Sequence, residues 1–509
     1  MSSNNSFELV FADGPAASTN GKAGIKRRIV LRLDGKDADV VTVRLDSDQS
    51  RERQIRRWTK AFKLDEDVLA QKLRKAAVVA TREAQQAKPP SEVRGAESPP
   101  PTPCTLDEAR SAFDKWLKNT DPDLLDVVFG TIAAHELDGD PVWMFIIGAP
   151  GDGKTEVLRA LGRHPKVYAI STLTPGSLIS GFITDGPDPS LIPKLDGMVL
   201  VIKDFTAILE MPNEARSEIM GILRDAYDGE CCKVFGTGET KSYRSRFGLI
   251  AAVTPVIDKY WAVNAQLGER FLRFRLPSKG RLSKVRRALK NTTLESAMRD
   301  ELREAAMSVL AQELVVPQLD SGMEERLIAL ADFVALARSN VSRDKKGTIQ
   351  FIPLPEVGTR AGKALKRLAM GIAMVSGESV VSEDVYRIVR RVGVDTVPSM
   401  RARLLGVLWK FREHQEKTST IANTAELPTD TTKVWLDDLR LLGMVERGGE
   451  PGTTSGYLWQ LKAEFQKTIE RSGVYNGGGT DSAPQASGAK NSDCDTEPAN
   501  VGDREVFVA

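Results

Sequence analysis

Zinc ligands and disulfide partners are scarce in this chain. Four cysteines (Cys104, Cys231, Cys232, Cys494) and three histidines (His135, His164, His414) are spread over 509 residues without a CxxC pair. Neither a zinc site nor a disulfide framework is therefore expected. Charge of one sign is not in excess either: 71 Lys+Arg against 69 Asp+Glu leave a formal net charge of +2. Affinity for nucleic acid would have to come from local clusters and not from a global field. No uninterrupted apolar run approaches the length of a membrane span, and the opening Met-Ser-Ser-Asn-Asn-Ser lacks a basic segment backed by an apolar core. The expectation is a cytoplasmic protein without a membrane partner. What is present is core-forming material, 41% hydrophobic residues, in a chain long enough for about three or four domains.

The most informative stretch is 143–155, Trp-Met-Phe-Ile-Ile-Gly-Ala-Pro-Gly-Asp-Gly-Lys-Thr. It reads as a buried strand running into the phosphate-binding pattern GxxxxGK(S/T), followed by a helix-forming stretch that starts at Glu156. Gly148, Gly151 and Gly153 allow backbone N–H groups to close around phosphate oxygens, with Ala149, Pro150 and Asp152 completing the loop. The following helix start adds partial positive charge. Lys154 is placed to reach the β- and γ-phosphates and Thr155 to ligate Mg²⁺, so ATP with Mg²⁺ is the expected ligand pair.

Composition divides the chain. Residues 1–87 form a small α+β module, in which strand-like alternation over 7–45 precedes one helical stretch from about Ser50 to Gln86. The Pro-rich segment 88–104 reads as an extended linker. From 105 to 282, two helical stretches and then apolar strands alternating with helices predict a three-layer α/β domain with a mostly parallel sheet. Residues 283–398 are helical apart from strand-like alternation at Thr348 to Leu354. Residues 399–468 form the last ordered unit, and 469–509 read as a disordered polar tail.

Strand Met198 to Ile202 ends in Lys203-Asp204-Phe205. An acid at the carboxyl end of a strand beside the phosphate-loop strand suits a Mg²⁺-holding role, which Asp204 takes. The usual pattern has a second acid to activate water. Here Glu210 or a residue from elsewhere orients the water, or Asp204 is itself the activating acid; a third reading makes Asp204 the cap of the next helix.

Further on come a helix from Glu214 to Asp228, a hairpin through Cys231–Phe235, Gly236-Thr237-Gly238 and Tyr243–Phe247, the strand Ala251-Ala252-Val253 ending in Thr254-Pro255, and then Glu269-Arg270-Phe271. These features resemble the AAA+ ATPases that carry a hairpin before their sensor-1 strand, most closely the minichromosome-maintenance (MCM-like) helicases, whose motifs read AAxNP and SRF. The resemblance implies that Thr254 takes the sensor-1 place and that Arg270 is an arginine finger reaching a neighbouring subunit's nucleotide, in a hexameric ring. Thr in place of Asn and Glu in place of Ser depart from the pattern. In the hairpin, Lys241, Tyr243, Arg244 and Arg246 interleave cations with a ring, as nucleic-acid channels do, so DNA contact is expected there; a merely solvated hairpin is the alternative.

Thr359 to Ser376 reads as an amphipathic helix with Leu365, Leu368, Ile372 and Val375 on one face. It resembles the AAA+ lid helix, with Arg360 as sensor 2. Met400 to Leu461 reads as a winged helix whose third helix, Thr429 to Leu442, turns Lys433 and Arg440 outward around Asp437 and Asp438. The order of ATPase, lid and winged helix over 105–465 looks like that of MCM-like proteins and phage or plasmid replication ATPases. The implied function is an ATP-driven DNA motor, a helicase or translocase of a mobile element working with replication or loading proteins. The alternative is an ATP-switched loader or regulator on DNA with little hydrolysis.

Overall fold

The computed structural model describes residues 7–11, 26–45, 47–86, 101–118, 121–181, 188–236, 238–260, 270–277, 280–344, 346–448 and 457–475. They fall in two compact units, Met1–Pro100 and Pro101–Ala509.

In the first unit, β1 (Phe7–Phe11), β2 (Lys26–Leu33) and β3 (Lys36–Arg44) form an antiparallel sheet in the order β1-β2-β3. Asp34-Gly35 joins β2 to β3 with φ of 49° and 80°, the left-handed pair that matches the twist of a two-residue hairpin. Ile29, Leu31 and Val43 point inward against Trp58, Leu69 and Leu73. Those three belong to two helices, Asp48–Phe62 and Glu66–Gln86, where the periodicity predicts one. The break lies at Lys63, left-handed at φ 54°, and Asp65 Oδ1 accepts the Val68 N–H at 3.0 Å to start the second helix. These end groups are short-range chemistry that leaves the apolar repeat untouched.

Among its described residues the second unit holds seven strands before its helical half: β4 (Trp143–Ile147), β5 (Val167–Ile170), β6 (Val199–Ile202), β7 (Glu230–Val234), β8 (Thr240–Arg244), β9 (Gly248–Val253) and β10 (Phe271–Arg275). Five make a parallel sheet in the order β10-β4-β9-β6-β5, and β7 pairs with β8 as an antiparallel hairpin. The chain is thus a mixed α/β protein with a five-stranded parallel sheet. One expectation is corrected: the strand leading to Asp204 does not lie beside the phosphate-loop strand, because β9 stands between β4 and β6. Fully buried strands are uniformly apolar, so their side chains carry no record of lateral order.

Alternate residues of the sheet feed two cores. Met144 and Ile146 meet helices Leu106–Trp116, Pro122–Ala133 and Lys154–Ala160. Trp143, Phe145 and Ile147 meet the side of Thr206–Leu209 and Asn213–Tyr227. Burying each such side chain contributes about 1.5–3 kcal/mol.

Helices Arg281–Asn291, Glu295–Leu310, Ser321–Arg338, Thr359–Val375 and Glu383–Thr396 follow. Thr359–Val375 buries Leu365, Leu368, Ile372 and Val375 in the same core as the first sheet face. It crosses Pro122–Ala133 at a glycine pair: a Cβ on Gly371 would stand 2.1 Å from the Gly130 carbonyl oxygen, and one on Gly130 would stand 2.5 Å from Ile372 Cγ1. The strand-like alternation at 348–354 yields only an isolated bridge between Arg343 and Ile349. Pro353 and Pro355 remove the donors a ladder needs.

The C-terminal part contains helices Ser399–Lys410, Thr418–Ala425 and Thr429–Leu441, and strands β11 (Glu416–Lys417), β12 (Val445–Gly448) and β13 (Leu458–Leu461) in the order β11-β13-β12. Order does not stop at 468. Helix Ala463–Ser472 runs through that boundary, with Phe465 and Ile469 buried, and the Tyr386 hydroxyl donates to the Ser472 carbonyl at 2.7 Å. The anchoring residues recur four apart, a repeat too brief to stand out beside a polar tail. Most of the Pro-rich linker, the Gly-rich turn after Gly448 and the tail beyond 475 lie outside the described residues. Among the described residues no helix is long and apolar enough to cross a membrane.

Candidate functional site

The parallel sheet brings the carboxyl ends of β4, β6 and β9 to one edge, where loops and not strands must supply the chemistry. At the end of β4, the Gly148 N–H donates to the Val253 carbonyl of β9 at 3.2 Å. A Cβ at Gly148 would stand 3.1 Å from Leu276 Cδ1. Gly151 and Gly153 hold φ of 85° and 82°, a conformation open to glycine and costly for side chains. Pro150 stands exposed at the tip of the loop and Ala149 is half-buried.

Lys154 is buried at the start of helix Lys154–Ala160, and its Nζ donates to the carbonyls of Gly148 at 2.5 Å and Ala149 at 2.8 Å. Burial pushes its pKa down, while the charges of Asp152 and Asp204 push it up and that of Lys284 pushes it down. Asp152 braces the loop: one carboxylate oxygen accepts the Ala149 N–H at 2.9 Å and the other takes Lys284 Nζ at 2.9 Å. Thr155 is exposed. Glu156 turns away to Arg159 at 2.5 Å and Arg299 at 3.2 Å.

Asp204, exposed just after β6, accepts the Thr206 N–H at 3.0 Å through Oδ1, a turn contact ahead of helix Thr206–Leu209, whose cap position is Phe205 with no side-chain capping bond. Thr254, just after β9, faces it from the next strand: its N–H donates to Thr206 Oγ1 at 3.1 Å and the two hydroxyls lie 3.3 Å apart. Sequence reasoning misses Thr206; its place two residues after Asp204, in Asp-Phe-Thr, is its local signal. Lys284, which touches the loop from 132 residues away, gave none. Lys203 is half-buried and Glu210 exposed beside helix Thr206–Leu209.

No model of a known protein family matches this chain. No curated protein matches it either.

Arg270 and Arg360 are not part of this edge. β10 runs parallel to β4 with Phe271 opposite Trp143, so Arg270 stands at the strand starts, roughly 16 Å of strand away from the loop at ~3.3 Å per residue. It is buried, with Nη2 2.6 Å from Asp228 Oδ2 and its guanidinium 5.6 Å from the Tyr227 ring centre. The Tyr227 phenol is pushed up to about 12 by burial and by Asp140, with Arg270, Arg338 and Arg360 opposing. Arg360 lies at the same strand-start edge, one helical turn ahead of Lys363, whose Nζ meets Asp140 Oδ2 at 2.9 Å just before β4.

The hairpin candidates divide. Arg246 donates to the backbone carbonyls of Gly139 at 2.6 Å and His135 at 3.2 Å, and to that of Leu137. The Tyr243 hydroxyl binds Asp188 and Ser190, and Lys241 Nζ lies 3.3 Å from Asp188. Arg244 reaches solvent, 3.9 Å from Glu230. On helix Thr429–Leu441, Arg440 pairs with Asp437 at 3.4 Å, Lys433 lies 5.3 Å from the Tyr457 ring centre, and buried Asp438 binds Arg343 at 2.7 Å.

Among the described residues no three His, Cys, Asp or Glu side chains are grouped to hold a metal. That donor set still fits Mg²⁺, which prefers one or two protein oxygens together with substrate phosphates over an all-protein cage. Thr155 and Asp204 are the hard oxygen donors on this edge.

Proposed function

We propose that this chain binds Mg²⁺-ATP at the carboxyl edge of its parallel sheet and hydrolyses it as an AAA+ DNA motor of the MCM-like kind, a helicase or translocase of a mobile element assembled as a homo-oligomeric ring. One observation carries the reading: a glycine-permissive loop with a buried lysine after β4, the Thr254 hydroxyl after β9 and an aspartate after β6 stand at the carboxyl ends of three adjacent parallel strands. Gly148 to Thr155 cradle the phosphates, Lys154 leaves its loop carbonyls for the phosphate oxygens, and Thr155 and Asp204 hold the metal. Bound Mg²⁺ would neutralise charge on the β- and γ-phosphates. Thr254, steadied by Thr206, orients the water or reports on the γ-phosphate.

A sheet with β9 inserted between β4 and β6 supports this assignment, because it sets Thr254 between loop and acid. Helices 281–396 then serve as the lid, and 399–475 as a winged helix with one added helix. Arg270 and Arg360 lie at the far edge from their own chain's loop, so a role for them in hydrolysis is a role in trans. Arg244, the hairpin cation whose side chain is open to solvent, is the proposed DNA contact.

The second reading, an ATP-switched loader or regulator on DNA, is favoured by the single acid: Asp204 stands between Lys203 and Phe205, and one of its oxygens is engaged with Thr206. Steady-state ATPase with and without single-stranded DNA separates the two. A motor turns over faster with DNA and loses turnover in Lys154→Ala and Arg270→Ala; a switch shows nucleotide-dependent oligomers with background turnover.

A further inference from the structure

Helices Pro122–Ala133 and Thr359–Val375 touch at the glycine pair Gly130 and Gly371. Packed helices cross at an angle, so two axes brought this close at one point diverge on either side of it. On one side the space is a cavity of about 540 Å³. Asp123 and Asp126 line it from the first helix and Ile372 and Ser376 from the second, while the starts of helices Leu106–Trp116 and Glu383–Thr396 close its flanks. None of its lining residues belongs to the phosphate loop, to β6 or to β9. The volume suits a small organic molecule.

Its charges are unevenly settled. Five acids and two arginines line the cavity. Asp123 is satisfied, with Arg387 at 2.8 and 3.0 Å and Arg391 at 2.8 Å on its two oxygens. Arg110 gives its terminal nitrogens to Asp107 and to Asp126 Oδ1. Asp126 Oδ2 receives nothing, although the side chain is only 2% exposed. Burial pushes the Asp126 pKa up, with Arg110 opposing and Asp123 adding to the rise. Glu378 Oε2 is buried without a partner as well. Among the lining side chains the one buried donor left over is Arg110 Nε, so open acceptors exceed open donors. A buried carboxylate oxygen is costly until a donor reaches it.

We infer that this cavity is a binding site for an aliphatic polyamine, whose ammonium groups donate to Asp126 and Glu378 and whose methylene chain lies along Ile372, Val385 and Ile388. An ammonium group brings three donors, no acceptor and a positive charge, which is what the two open oxygens lack. The hydrocarbon between such groups matches the apolar walls. A bare metal ion does not fit, because among the described residues no three His, Cys, Asp or Glu side chains are grouped to hold one. An anion does not fit either, because the terminal nitrogens of Arg110 and Arg387 are already taken by carboxylates. Binding here requires no nucleotide.

Calorimetric titration of the full-length chain with spermidine tests it, at fixed ionic strength and without nucleotide or nucleic acid. The parent should show one saturable site per chain. Asp126→Asn should weaken it by about tenfold or more, the worth of one hydrogen bond to a charged group, and Glu378→Gln should weaken it less. Because Asp126→Asn also leaves Arg110 with a weaker partner, Ser376→Arg serves as a second variant. Ser376 is exposed just past the end of helix Thr359–Val375, so an arginine there should keep the parent's melting temperature, lay its own cation in the cavity and abolish spermidine binding. A parent without saturable binding overturns the inference and leaves the open oxygens to water. Unchanged affinity in both Asp126→Asn and Ser376→Arg overturns it too, as does equal displacement of spermidine by Mg²⁺ at the same ionic strength.

Discussion

The two edges of the five-stranded sheet are built from one set of strands and finished in opposite ways. At the strand starts, Trp143, Tyr227, Phe247 and Phe271 pack ring against ring, and Trp143 Nε1 donates to the Phe247 carbonyl at 2.9 Å. Cations there are spoken for: Arg270 by Asp228, Arg246 by three backbone carbonyls. At the strand ends, glycines replace rings, Asp204 and Thr155 are exposed, and Lys154 is satisfied only by carbonyls of the loop it must open. A sheet edge filled with aromatics is stability, and an edge left to loops is opportunity. Position on the sheet says more about a charged residue's task than its presence in a motif.

The comparison breaks first at the loop. Lys154→Ala should weaken binding of an ATP analogue about 100-fold, since charge-assisted hydrogen bonds are worth about 1.5–3 kcal/mol each, with little change in melting temperature; calorimetry of nucleotide binding checks it. The sealed edge should answer to pH instead. His135, buried beside Arg246, has its pKa lowered to about 4 from 6.5, by burial first and then by that charge. The unfolded chain takes up this proton before the folded one. The contribution is thus complete above pH 6.5 and is lost as pH falls towards 4, with a full extent of about 3 kcal/mol. Urea unfolding of the parent and of His135→Leu across that window should show a shallower pH slope in the variant.

Smaller effects sharpen the contrast. Asp228→Asn leaves Arg270 buried with a weaker partner; because Asp228 is half in solvent the cost should be about 1 kcal/mol, read by denaturation, with nucleotide affinity unchanged. Arg244→Glu should lower DNA affinity and the slope of its salt dependence by about one phosphate's worth, whereas loss of Arg246 should act through stability. Equal effects of the two on DNA binding at unchanged stability would refute the division of the hairpin.

What the sequence made legible was local. The loop, the hairpin and the apolar face of Thr359–Val375 each rest on residues a few positions apart, and each stands where periodicity and turn chemistry place it. What escaped was set by distant encounters. Lys284 meets Asp152 across 132 residues, Arg246 meets Leu137 across 109, and β9 comes between β4 and β6. A basic side chain in a hairpin carries no mark of whether a carbonyl waits beneath it. The helix through 469 escaped for another reason: a short amphipathic repeat next to a polar tail is outweighed by its surroundings.

The glycine crossing at Gly130 and Gly371 has a mechanical consequence. Two backbones that touch without side chains between them slide or hinge poorly, so the helix ahead of the phosphate loop and the helices after the sheet travel together. If the chain works as the oligomeric ATPase proposed above, a nucleotide cycle on such a stiff body would displace whole copies against one another, leaving the flexing to the seams between them.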